Sequence, residues 1–70
     1  MLLKLTNATK DRVGDALIIN SELIISFFEN KNEDDEKITI AFGVNGNSWE
    51  VSETIDEIMA QFVFSKNQTA

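Results

Sequence analysis

Asn45-Gly46-Asn47-Ser48-Trp49-Glu50-Val51-Ser52-Glu53-Thr54-Ile55-Asp56-Glu57-Ile58-Met59 is the stretch that decides the architecture. Asn-Gly is the strongest short hairpin signal, because a type I′ turn needs positive φ at both central residues. Ser48 to Val51 then predicts a strand carrying the only tryptophan, with Trp49 and Val51 on one face and Trp49 facing Phe42 across the hairpin. Thr54 is a good N-cap, and Glu57 three residues later completes a capping box; Ser52 is the competing cap. Ile55, Ile58, Met59, Phe62 and Val63 fall at i, i+3, i+4, i+7 and i+8, a single apolar stripe. Asp56 and Glu57 sit in the first turn, where the helix dipole favours anions.

Working back from this hairpin and helix, Lys37 to Phe42 alternates, which puts Ile38, Ile40 and Phe42 on one face of a strand. Asn30 to Glu36 contains no hydrophobic residue and predicts a solvated acidic loop. Leu23 to Glu29 is rich in β-branched and aromatic residues, as strands are. Asn20-Ser21-Glu22 separates it from Ala16 to Ile19, and Asn and Ser there favour a tight bend. Leu2 to Thr6 predicts a further strand, and the polar Asn7 to Asp15 segment ends in Val13-Gly14-Asp15 turn chemistry. Ser65 to Ala70 has no apolar anchor. The expectation is a single α+β domain over residues 1–64, followed by a disordered tail over 65–70. Its core is a small antiparallel sheet of about five short strands with one C-terminal amphipathic helix. Antiparallel order follows because the connections are too short for helical crossovers.

Composition narrows the function. Seventy residues make one small domain, and such a chain buries only about 60% of the surface that it exposes when unfolded. Disulfides, metals or partner subunits usually supplement so small a core. The chain has no Cys and no His. Ser-His-Asp and Cys-His nucleophile systems are therefore excluded within it, and the commonest zinc ligands are missing. The net charge of −6 repels phosphate backbones and argues against nucleic-acid binding. Such a charge serves solubility, or it docks a basic partner or mimics DNA. Met1-Leu2-Leu3-Lys4-Leu5 is too short and too soon interrupted for a signal peptide, no run approaches a membrane span, and the Cys-free composition fits a reducing compartment. A cytoplasmic protein without membrane insertion is expected. Asn7-Ala8-Thr9 and Asn67-Gln68-Thr69 match the glycosylation sequon, but without a secretion signal both count as coincidence.

Candidate chemistry is sparse. Glu33-Asp34-Asp35-Glu36 lacks the ligand alternation and turn glycine of a calcium loop. Glu22 and Glu50 are carboxylates that an acid/base pair could use, although nothing in the sequence brings them together. The three glycines form neither a phosphate loop nor a dinucleotide fingerprint. Lys4, Lys10 and Arg12 lack the interleaved aromatics of a nucleic-acid site. No catalytic residue, cofactor or metal is expected.

Hydrophobic surface is in excess. One helix covers one face of a sheet, yet Leu17 and Ile19 oppose Ile18, and Ile25 and Phe27 oppose Ile24 and Phe28. Strands apolar on both faces normally have both covered. The second face, with Ile18, Ile24 and Phe28, is expected to form a protein interface, most simply in a homo-oligomer. The competing expectation folds Phe28 and its neighbours under the 30–36 loop or the 7–15 segment. Trp49 is expected to pack in the core or across the hairpin, and to anchor the interface if exposed.

The pattern resembles the small FlbD/SwrD-type flagellar proteins of bacteria. The matching positions are Leu5-Thr6, Asn20-Ser21-Glu22-Leu23-Ile24, Ile38-Thr39, Asn45-Gly46, Trp49 and Glu53-Thr54-Ile55-Asp56-Glu57, spanning residues 2 to 63. The chain departs from that family in its longer Asn7 to Asp15 segment and its longer, more acidic loop at 30–36. The resemblance implies a flagellar motility accessory without catalysis, and no catalytic residues to transfer. The expected function is a non-enzymatic protein-interaction module that self-associates or docks a larger assembly. The alternative is a phage-encoded acidic protein that inhibits a host factor.

Overall fold

Alternating apolar and polar residues produce three hairpins, and a capped amphipathic segment produces one helix. The computed structural model describes residues 1–68, with side chains as far as residue 63. The strands are β1 (Leu2–Thr6), β2 (Ala16–Asn20), β3 (Ile24–Lys31), β4 (Lys37–Gly43) and β5 (Ser48–Val51). A 3₁₀ turn at Ser21–Leu23 links β2 to β3, and α1 spans Ile55–Gln68. The α+β class and the number of strands agree with the sequence analysis. The strands form two antiparallel sheets rather than one, β1–β2 and β3–β4–β5.

The two sheets meet where the chain leaves β1 and runs beside β5. Asn7 bridges Val51, the Ala8 N–H donates to the Glu50 carbonyl at 2.8 Å, and the Ser52 N–H donates to the Thr6 carbonyl at 2.9 Å. One core cluster draws on both sheets and the helix. Leu3, Leu5, Ile19, Ala41, Val51 and Ile58 are buried in it, with Leu17, Ile24, Phe27, Trp49 and Phe62 packed around them.

The local devices explain the elements. Asn20 Oδ1 accepts the Glu22 N–H at 3.1 Å and bends the chain into the 3₁₀ turn. The capping box at α1 is formed: Thr54 Oγ1 accepts the Glu57 N–H at 3.1 Å, and Glu57 Oε1 accepts the Thr54 N–H at 2.9 Å. The helical stripe is only partly covered. Ile58 is buried and Phe62 half-buried, while Met59 and Val63 face outward. α1 runs through Gln68, past the boundary expected at residue 64; residues 69 and 70 lie outside the described residues.

Two turns differ from expectation. β3 continues to Lys31, so the acidic loop shrinks to residues 32–36. There Asn32 Oδ1 accepts the N–H groups of Asp34 and Glu36, each at 2.9 Å, and brackets the turn locally. The Asn45-Gly46 turn is not type I′: of its two residues only Gly46 has positive φ, at 87°. Gly46 N–H donates to the Gly43 carbonyl, and Gly43 N–H donates to the Asn47 carbonyl. This is a three-residue loop ending in a left-handed glycine, the second common hairpin solution.

Candidate functional site

The ladder of β3–β4–β5 separates two faces with different surroundings. In register, Phe27, Ala41 and Trp49 form one row across the three strands, and Glu29, Thr39 and Val51 form the next. This face meets the core: Ala41, Thr39 and Val51 are buried, and Phe27 and Trp49 pack against the cluster. Buried Thr39 is satisfied, its hydroxyl donating to the Glu53 carbonyl at 2.7 Å.

The opposite face carries the rows Phe28–Ile40–Glu50 and Ser26–Phe42–Ser48. Phe28 is 43% exposed and Phe42 37% exposed, with Ile40 half-buried between them. At the Phe42 end the surface continues to exposed Leu23 and Val44, which the Val44 N–H to Leu23 carbonyl bond of 2.9 Å holds together. Ile25, at the irregularity in β3, is 62% exposed. Ile38 shares the alternation of Ile40 and Phe42, yet it is buried. The outward face is therefore closed toward the Ile38 end and open toward the Phe42 end.

Of the expected interface residues, Phe28 lies on this open face. Ile18 is also exposed, at 56%, but it sits on the other sheet, opposite Lys4. Ile24 does not join Phe28. A bulge between Ile24 and Ser26 pairs Ile24 with Gly43 and Ser26 with Phe42. The extra residue reverses the alternation, so Ile24 turns to the core. Trp49 also packs against the core, and its partner is Ala41 rather than Phe42. Its ring lies over Gly43, where an added Cβ would come within 3.1 Å of Trp49 Cζ3. Ile25 and Phe42 are the surface residues that the alternation did not single out. The sequence carried no signal for either, because the observed register alone sets Ser48 opposite Phe42, and Ile25 lies unpaired at the bulge.

Glu22 lies in the 3₁₀ turn and Glu50 on β5, and no hydrogen bond among the described residues joins them. The Glu53 carboxylate holds β1 in place, accepting the Thr6 N–H and the Thr6 hydroxyl, both at 2.8 Å. A cleft of about 280 Å³ separates the β1–β2 loop from the β3–β4 turn, with Lys10 and Asp11 on one side, Glu33, Asp34 and Glu36 on the other, and Glu50 also lining it. Among the described residues no group of three acidic side chains is placed to hold a metal ion. No helix among them is long and apolar enough to cross a membrane. Compared with family models, curated proteins and solved structures, the chain matches none.

Proposed function

We propose that the chain is a small, non-enzymatic protein-interaction module whose contact surface is the outward face of β3 and β4. The observation that carries this reading is the row of Phe28 and Ile40 beside Phe42, left partly open opposite the core. Burying a whole Ile or Phe side chain gains about 1.5–3 kcal/mol. An open aromatic row is therefore a cost to a small domain by itself and a gain on association. The module self-associates or docks a larger assembly. Its resemblance to FlbD/SwrD-type proteins supports a flagellar assembly as that partner, and its lack of cysteine supports a cytoplasmic setting.

Light scattering at micromolar concentration tests this, with an oligomer expected for the native chain. Phe42→Ser and Phe28→Asp are expected to weaken association while circular dichroism stays native. A native chain that stays monomeric and binds no protein in its host would overturn the reading.

The acidic cleft favours a second reading, in which a basic surface of another protein, such as a host factor bound by a phage inhibitor, docks between the two loops. Salt separates the two readings. Docking through the carboxylates weakens steeply with ionic strength, and docking through Phe28 and Phe42 does not.

A further inference from the structure

The two sheets treat their edges differently. The edge of β1 that faces away from β2 is occupied. The Gln61 side-chain amide takes both backbone groups of Lys4, accepting the N–H at 3.2 Å and donating to the carbonyl at 3.1 Å. Glu53 takes the Thr6 N–H, Ser52 takes the Thr6 carbonyl, and Asn7 bridges Val51. β3 has less cover among the described residues, where only one side-chain atom, Asn30 Oδ1, accepts one of its N–H groups, that of its last residue Lys31, at 2.8 Å. It ends the three-stranded sheet, its ladder runs only to β4, and among the described residues no other hydrogen bond reaches the backbone of residues 25–30.

An open edge is a template for another strand, and proteins commonly blunt it with short strands, charges, prolines or bulges. β3 is eight residues long and contains no proline. Its bulge lies at one end, between Ile24 and Ser26. Its charges lie at the other end and are already paired, Glu29 with Lys37 at 3.2 Å and Lys31 with Asp35 at 3.4 Å. On a chain of net charge −6, this edge presents no unpaired charge to a like-charged second copy.

We propose that β3 pairs antiparallel with β3 of a second copy, joining two three-stranded sheets into one of six strands, with Phe28 opposite the partner's Phe28. The proposal rests on the interaction reading above and specifies its partner and geometry. Two-fold symmetry requires that one residue face its own copy. Centring the pair on Glu29 or Lys31 sets like charges opposite each other, which destabilises a sheet. Centring on Phe27 carries the bulge into both ends. Centring on Phe28 pairs residues 25–31: it sets Phe27 against Glu29 and Ile25 against Lys31, matches Ser26 with Asn30 and stacks the two phenylalanines on the outward face. The open rows of both copies then become continuous across the symmetry axis.

Because the chain has no cysteine, introduced thiols report on the contact alone. Opposed residues of an antiparallel pair are close enough for a disulfide. Under mild oxidation at micromolar concentration, Phe28→Cys and the double variant Ser26→Cys/Asn30→Cys, which keeps Phe28, are expected to cross-link copies. Phe42→Cys, on the same face but one strand inward, is the comparison. The edge variants should react on the order of tenfold or more faster, as a preformed contact raises the local thiol concentration. If dimers form but link at residue 42 as fast as at 28, the faces stack and the edge inference fails, while the interaction reading stands. Monomers by light scattering, with equally slow linking at every position, overturn self-association itself. Charge provides a second measurement. Ser26→Lys with Asn30→Lys is expected to dissociate the dimer, and Ser26→Lys with Asn30→Glu to restore it. Equal association of these two double variants would overturn the register.

Discussion

Phe27 and Phe28 are neighbours in the chain and opposites in the fold. Phe27 lies in a row with Ala41 and Trp49 and packs against the buried cluster, whereas Phe28 lies in a row with Ile40 and Glu50 and is partly open to water. The contrast shows that hydrophobicity alone does not assign a residue to the core. The face of the ladder does: Phe27 shares with Ala41 and Trp49 the side that meets the buried cluster, and Phe28 shares with Ile40 and Glu50 the side away from it. On the proposed reading, stability and association are carried by opposite faces of one three-stranded sheet.

That division can be broken by substitution, beginning where the effect is greatest. Ile58→Ala removes a buried side chain that joins the helix to both sheets, and about 2–5 kcal/mol of stability should be lost in urea denaturation. A smaller loss would mean that the helix is not essential to the inward face. Phe27→Ala should cost about 2 kcal/mol, less than a fully buried phenylalanine because Phe27 is half-buried. Glu53→Ala leaves the Thr6 N–H and hydroxyl without their acceptor, a loss of about 1–3 kcal/mol visible as a lower thermal midpoint. Gly46→Ala puts a Cβ on a residue with φ of 87°, and about 1 kcal/mol should be lost. Phe28→Ser should cost folding about 1 kcal/mol, less than Phe27→Ala because Phe28 is 43% exposed, and should change association as well. A Phe28→Ser loss equal to that of Phe27→Ala would erase the distinction between the faces.

Much of this fold was legible in the sequence, and the exceptions share a cause. Thr54 and Glu57 announced the helix because a capping box is closed by residues three apart, and both of its bonds are present. Asn20-Ser21-Glu22 announced its bend for the same local reason. The pairing partner of Trp49 was not legible. A two-residue turn at Asn45-Gly46 would set Trp49 against Phe42. The observed loop spans Val44, Asn45 and Gly46, and it sets Trp49 against Ala41 and Phe42 against Ser48. One residue of loop length moves a strand by one register position and exchanges its faces. Ile24 failed in the same way, through a bulge that adds one residue between Ile24 and Ser26. The candidate surface inherited both shifts. Phe28 remained on it, Ile24 and Trp49 left it, and Phe42 and Ile25 joined it.

The sequence by itself determined the element types, the capped start of the helix, the exclusion of His- and Cys-based catalysis, and the presence of more apolar strand surface than one helix covers. These follow from composition and from interactions within a few residues of one another. Tertiary structure alone decided that the strands divide into two sheets, that Gln61 and Glu53 occupy the edge of β1 while residues 25–30 of β3 bond only to β4 among the described residues, and which aromatic residues face water. The physical reason is the two-residue period of a strand. A single bulge or an added loop residue leaves the local preferences unchanged while turning every later side chain to the other face, and only the assembled ladder records which alternative was taken.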